Sequence, residues 1–222
     1  MNKIEILNID GKVIHTYEGE NATIKDAVED AVKNGISLEK AYLFGADLCD
    51  ANLSSAILIE ADLHNANLEG AYIFNANLKN ANLEDTNLRD VYLEDANLCK
   101  ANLLGADLEG ADLSSANLME ANLENANLEN ANLELANLRF ANLEGASLKN
   151  ANLVKANLEL ANLTVAELYM ANFHNANLYN ADLYGANLEE ANFANANLEN
   201  ADLTNAYLCG ANFDIEVCKQ LL

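Results

Sequence analysis

The chain has 222 residues, with 35 Asp and Glu against 12 Lys and Arg, a formal charge of −23, four cysteines and no proline. So acidic a surface repels nucleic acid, whose duplex already carries one negative charge per roughly 1.7 Å. The opening MNKIEILNID lacks the apolar core of a signal peptide and no apolar run approaches a membrane span, so a cytoplasmic protein away from the membrane is expected.

Residues 1–35 carry no repeat. Lys3-Ile4-Glu5-Ile6 and Val13-Ile14-His15-Thr16-Tyr17 alternate, and Asp10-Gly11 between them signals a hairpin turn. Thr23 with Asp26 then has the form of a capping box, and Ile24, Ala27, Val28, Ala31 and Val32 share one helical face. Asn34-Gly35 ends that helix. A β-hairpin and a helix are therefore predicted as the cap that a solenoid end requires.

From Ile36 to Ile215 the chain repeats every five residues, as in ANLENANLENANLELANL at 121–138. Leu, Ile or Phe stands at every fifth position from Leu38 to Phe213, with Ala two residues before it except at Ile36, Thr86 and Val91. A helix would turn Ala and Leu to opposite sides. A straight strand puts i and i+2 on one face, but an odd period sends the next pair to the other face. Both stay inside only if each repeat turns a corner, so Ala-Asn-Leu is a short edge and the next two residues are the corner. The exceptions set the coil length. Ile73, Phe173, Phe193 and Phe213 differ by multiples of 20, and the corner glycines (Gly45, Gly70, Gly105, Gly110, Gly145, Gly185 and Gly210) fall in two of the four classes of a 20-residue period. Four edges per coil make an all-β solenoid of square section. The 180 residues give about nine coils, a rod roughly 43 Å long at the usual strand spacing. Leu fills the interior, Phe173, Phe193 and Phe213 form an internal ladder, and the Asn or Asp between Ala and Leu faces outward, within reach of corner backbone.

Tandem AxLxx with Asn or Asp second resembles the pentapeptide repeat protein family over residues 36–215. The resemblance implies a right-handed quadrilateral β-helix. It also implies an interaction protein. Some members resemble B-form DNA in width and charge and engage DNA gyrase or topoisomerase IV, and quinolone-resistance members dimerise through their C-terminal coils and helix. Those members carry projecting loops; this chain has no insertion between Ile36 and Ile215.

Asp214 to Leu222 breaks the phase. Ile215, Val217, Leu221 and Leu222 predict a short helical tail, residues 216–222, lying over the last coil, with a dimer seam as the alternative. The domain plan is thus a cap at 1–35, a β-helix at 36–215 and this tail.

Cys49 and Cys209 share a column but lie eight coils apart, roughly 38 Å, and Cys99 lies on another face; Cys218 could approach Cys209. Reduced thiols are expected. His15, His64 and His174 are spread over the cap and two faces of distant coils, so no metal cluster, cofactor site or catalytic pair is predicted. The chain reads as a non-enzymatic protein.

What remains is the surface. Residues after 40 hold 27 acidic against 7 basic side chains, a net of −20. That density, one charge per ~2 Å of rod, is close to that of duplex DNA. The acidic surface comprises Glu84, Asp85, Asp90, Glu94, Asp95, Glu109, Glu120, Glu124, Glu129 and Glu134. Residues 136–175 are neutral instead, with Glu144, Glu159 and Glu167 against Arg139, Lys149 and Lys155. In and beside that zone, outward positions turn apolar at Leu135, Phe140, Val154, Leu160, Val165, Tyr169 and Met170. A patch of that kind within a charge-free belt is a candidate surface for a protein partner or a second copy of the chain. Two functions are carried forward: a rigid scaffold with a protein partner, and an acidic DNA mimic that binds a type II topoisomerase.

Overall fold

In the inner coils, each backbone N–H of a pentapeptide with Asn or Asp second has its own acceptor, and that accounting builds the coil. In residues 121–125, Asn122 donates back to Ala101 of the coil below at 3.0 Å, while Leu123 and Asn125 donate onward to Asn142 and Glu144 at 2.6 and 2.9 Å. Ala121 closes the preceding corner on Leu118 at 3.0 Å. The fifth, from Glu124, goes to the side-chain Oδ1 of Asn122 at 3.4 Å. A buried backbone donor left over would cost a lost hydrogen bond, so the repeat tolerates no proline and prefers Asn or Asp second.

The computed structural model describes residues 1–220. Parallel bridges join outward residues at a constant offset of 20, from Tyr42 with Asp62 to Asn192 with Asn212. Four edges therefore close each turn of the solenoid. The outward amides also bond to one another between coils, as where Asn122 Nδ2 donates to Asn102 Oδ1 at 3.1 Å. Every fifth residue from Lys40 to Gly210 has positive φ, between 50° and 71°, as the second central residue of the corner. Positive φ there alone is the signature of a type II turn. For a residue with a Cβ that conformation costs about 1–2 kcal/mol. One fully buried Leu per repeat contributes about 1.5–3 kcal/mol, so burial outweighs corner strain.

From Leu38 to Leu198 the Leu columns are buried, with Ala packed beside them. Thr86, in an Ala position, is buried too and its hydroxyl donates to the Leu63 carbonyl at 2.9 Å. Phe173 and Phe193 are fully buried and stack at 4.9 Å between centroids; Phe213 continues the stack at 5.1 Å but is only partly buried.

At the first end, β1 (Asn2–Leu7) and β2 (Val13–Gly19) form an antiparallel hairpin. Its loop closes through Gly11, which donates to Asn8 at a φ of 77°. Helix α1 (Ile24–Lys33) starts at a reciprocal Thr23–Asp26 capping box. It ends in a Schellman motif, with Gly35 donating to Val32 and Ile36 to Ala31. Ala27, Val28 and Ala31 bury against the first coil. The cap also supplies partners for that coil's open backbone: the Leu7 carbonyl accepts from Tyr42, and Glu29 Oε1 accepts from Asn52 at 2.8 Å.

The other end is less closed. Helix α2 (Ile215–Gln220) buries Val217, and Gln220 Oε1 accepts from Leu198 at 2.6 Å. Asp214 anchors it, accepting from Val217 at 2.9 Å and from Asn195 of the coil below at 2.7 Å. Ile215 does not cover the last coil, contrary to the sequence expectation: it is 75% exposed, because the turn set by Asp214 aims Val217 inward instead. Leu221 and Leu222, the other two apolar residues of the expected tail, lie outside the described residues. Leu208 is 36% exposed, beside an open depression of about 460 Å³ lined by Ala201, Leu203, Thr204 and Gln220.

Phe193→Ala removes the middle ring of the stack and should cost about 3–5 kcal/mol in denaturant unfolding, as for other buried Phe truncations. At the tail, hydrogen bonds from Val217 and then Asn195 hold the Asp214 carboxyl below its ordinary 3.8. A folded value below the unfolded one gives stabilisation that is full above the unfolded value and is lost as pH falls through the folded one. Acidification below about pH 4 should therefore release α2. Amide exchange at Val217 should rise at acid pH in the wild type, and Asp214→Asn should show little further change.

Candidate functional site

Within the coils, the corner residues and the outward residue of each edge are the positions that face away from the core, so recognition by the coils is written there. Corners recur every 20 residues, which sorts the surface into four columns. The acidic side chains occupy all four: Glu84, Asp85 and Glu124 on one, Asp90, Glu109 and Glu129 on the next, Glu94, Asp95 and Glu134 on the third, and Glu120 on the fourth. Several are engaged. Arg89 holds Glu109 at 2.6 Å and Asp107 at 3.2 Å, Lys100 meets Glu120 at 3.2 Å, and Asn142 donates to Glu124 at 3.3 Å. Glu94 is different. Burial, then the charges of Asp112 and Asp95, push its carboxyl above the usual carboxylate value, and its Oε2 is buried without a partner.

Two of the zone's three cations pair with the acidic coils below it, and one pairs inside it. Lys149 reaches Glu129 at 3.4 Å and Lys155 reaches Glu134 at 3.8 Å, while Arg139 pairs with Glu159 at 2.9 Å within the zone. The Arg139 guanidinium also lies over the Phe140 ring, 5.1 Å from its centroid.

The seven apolar residues do not form one patch. Phe140 and Leu160 stack on one corner, where Phe140 donates to the Glu159 carbonyl at 3.1 Å. Leu135 and Val154 stack likewise on the preceding corner. These four frame one face, whose outward residues are Asn137 and Asn157. Val165 lies on the corner after Phe140, and Tyr169 with Met170 one corner further, diagonally across the rod. Leu135, Phe140, Leu160, Val165 and Met170 all take the positive-φ position, with φ of 63°, 60°, 59°, 50° and 57°. All five are exposed, Phe140 at 46% and Leu160 at 42%. That backbone favours Gly and Asn, and a β-branched Val there is an outlier.

Two further groups went unread in the sequence. Tyr72 and Tyr92 take outward edge positions normally held by Asn or Asp and stack at 5.1 Å, with Phe74 against both. The second group joins one of the histidines to acidic neighbours. His64, Glu84 and Asp85 come together on one corner, with their ligand atoms all within 4.8 Å of one another. The coil brings residue i beside i+20 and i+21, so His64 meets acidic residues far from it in sequence. All four cysteines are free thiols, Cys99 buried and Cys209 and Cys218 exposed. No helix among the described residues is long and apolar enough to cross a membrane.

Known proteins share this architecture. The family model described as pentapeptide repeats matches residues 36–72, 76–114, 116–153, 141–179 and 176–214. The chain belongs to the pentapeptide repeat family. Members fold as right-handed quadrilateral β-helices, which is the four-edged coil described above. Among solved structures, the chain is similar to HetL, a pentapeptide repeat protein involved in heterocyst differentiation regulation from the cyanobacterium Nostoc sp. strain PCC 7120. The identity is 33% over 77% of this chain and 86% of that one, with a TM-score of 0.47. Rfr23 from the cyanobacterium Cyanothece 51142 is 40% identical over 42% of this chain and 64% of that one, with a TM-score of 0.41. A trypsin-treated form of QnrB1, a plasmid-mediated fluoroquinolone resistance protein, is 21% identical over 81% of this chain and 95% of that one, with a TM-score of 0.49. No curated protein matches the sequence.

Proposed function

We propose that this pentapeptide repeat protein is a non-enzymatic rigid scaffold, a rod of about nine coils between a cap at residues 1–35 and a tail at 216–222. It binds a protein partner, or a second copy of itself, through the face framed by Leu135, Val154, Phe140 and Leu160. Val165 extends that surface by one corner, and Tyr169 and Met170 stand outside it. The observation that carries this reading is the set of large apolar side chains at exposed positive-φ corners. Each adds backbone strain and contributes nothing to the core, so the fold alone gives no reason for them. Elsewhere on the same column as Phe140 and Leu160 the chain uses Asn80, Asn180 and Asn200, which suit that backbone, or the charged Lys40, Glu60, Lys100 and Glu120, which are at home in solvent.

Replacing Phe140 and Leu160 together by Asn separates the two roles of this column. The double variant should melt at the same temperature or higher, because strain is relieved. It should also lose captured partners from native lysate, or its dimer in static light scattering. Unchanged partners and unchanged assembly state would refute the surface.

The acidic columns support a second reading, a DNA mimic that engages DNA gyrase or topoisomerase IV. Acidic side chains on all four corner columns between Glu84 and Glu134 suit an enzyme channel that grips duplex DNA. This reading predicts that the protein inhibits gyrase supercoiling or relieves its poisoning by a quinolone. Replacing Glu84, Asp85, Glu124 and Glu129 by their amides should weaken that effect, and no effect of the wild type on either enzyme would leave the scaffold reading alone.

A further inference from the structure

The protein has three histidines, and two of them are committed to the fold. His15 Nε2 meets Asp30 Oδ2 at 2.8 Å, and His174 Nδ1 meets the Ala194 carbonyl at 2.9 Å. His64 differs: among the described residues its backbone N–H bonds to Asp62 Oδ1 at 3.2 Å, but neither ring nitrogen has a hydrogen bond. Its Nε2 instead faces Asp85 Oδ2 at 4.0 Å, too long for a hydrogen bond. Glu84 completes a set of three ligand atoms, all within 4.8 Å of one another.

We infer that His64, Glu84 and Asp85 form a binding site for a divalent transition-metal ion of the Zn2+ class. One imidazole and two carboxylates are the donor types that such ions take, and the imidazole disfavours Ca2+ and Mg2+, which prefer all-oxygen shells. Zn–N and Zn–O bonds of about 2.0–2.2 Å place tetrahedral ligand atoms about 3.4 Å apart. Closing the present separations takes a shift of about an ångström, which the exposed Asp85 carboxylate can supply by rotation. Water would fill the outer position, since the corner is open to solvent.

The surroundings hold these side chains as a supporting shell holds metal ligands. Asn102 Nδ2 donates to Glu84 Oε2 at 3.1 Å, fixing one carboxylate while Asn102 itself is tied to Asn82 and Asn122 in the amide ladder. The Phe44 ring meets His64 edge to face, 5.5 Å between centroids at 83°, which sets the imidazole plane. Tyr42 in turn stacks on Phe44 at 6.2 Å. Above Asp85 stands Gly105, where any Cβ would fall 2.5 Å from Asp85 Oδ1, so the glycine gives that carboxylate its seat. The ion would join two successive coils and stabilise the folded rod by mass action.

The test is calorimetric titration of ZnCl2 into the full chain with its accessible thiols alkylated, repeated with CaCl2. One saturable Zn2+ site is expected, with little heat from Ca2+ and a melting temperature that rises with Zn2+. His64→Ala and Asp85→Asn should each weaken Zn2+ binding at least ten-fold while leaving the metal-free melting curve close to wild type. The double variant Glu189→Gln, Glu199→Gln removes two exposed carboxylates elsewhere and should bind Zn2+ as the wild type does. The inference is overturned by the absence of a saturable site, by undiminished binding in His64→Ala, or by an equal loss in the distant double variant, which would mean diffuse adsorption to an acidic surface.

Discussion

The structure depends on one constraint: a three-residue edge must satisfy its backbone and then turn a right angle before the next edge begins. The turn is possible only if one residue in five adopts positive φ. Everything else adjusts to this. The odd period returns Ala and Leu to the interior, and the outward Asn takes up the one N–H that no backbone carbonyl reaches. The amide ladder then ties each coil to the next on the outside, as the Leu columns do within. Because every coil meets only its neighbours, the interior is a stack of equivalent layers and the surface can vary without disturbing it.

This separation explains how much could be read in advance. Ala-Asn-Leu spacing and the 20-residue recurrence of Ile73, Phe173, Phe193 and Phe213 are strict, because each misplaced residue would open a cavity or bury a polar group. The corner conformation was far less legible. Glycine marks it at Gly70 or Gly105, but the same φ is held by Lys100, Glu120, Phe140 and Val165, so composition blurs a signal the backbone makes uniform. The surface groups were hidden for a related reason. Leu135 to Met170 is one run in sequence but is spread over four corners in space, and His64 meets Glu84 and Asp85 only through the coil offset. At the tail, Asp214 decided which apolar residue faced inward, a choice that hydrophobicity alone could not make.

A rod without projecting loops among its described residues has to recognise partners with a flat face or a ridge. Its vocabulary is the two corner residues and the outward residue of each edge. Departures from the default choices at those places therefore carry more information than any count of charges. Phe140 beneath Leu160, Tyr72 beneath Tyr92, and His64 beneath Glu84 and Asp85 are three such departures, each spanning adjacent coils. Repetition on neighbouring layers gives area to what would otherwise be a single side chain.

The constant offset of 20 between bonded residues has a consequence for the history of the chain. Duplicating or deleting one coil's worth of coding sequence, in frame, leaves every remaining column in register. Inheritance can therefore lengthen or shorten this rod in whole steps, and the spacing between any two surface features becomes a heritable ruler graduated in coils. A change of five, ten or fifteen residues would instead rotate all that follows by one, two or three sides. Selection thus has two nearly independent controls over the surface, one for distance along the axis and one for bearing around it.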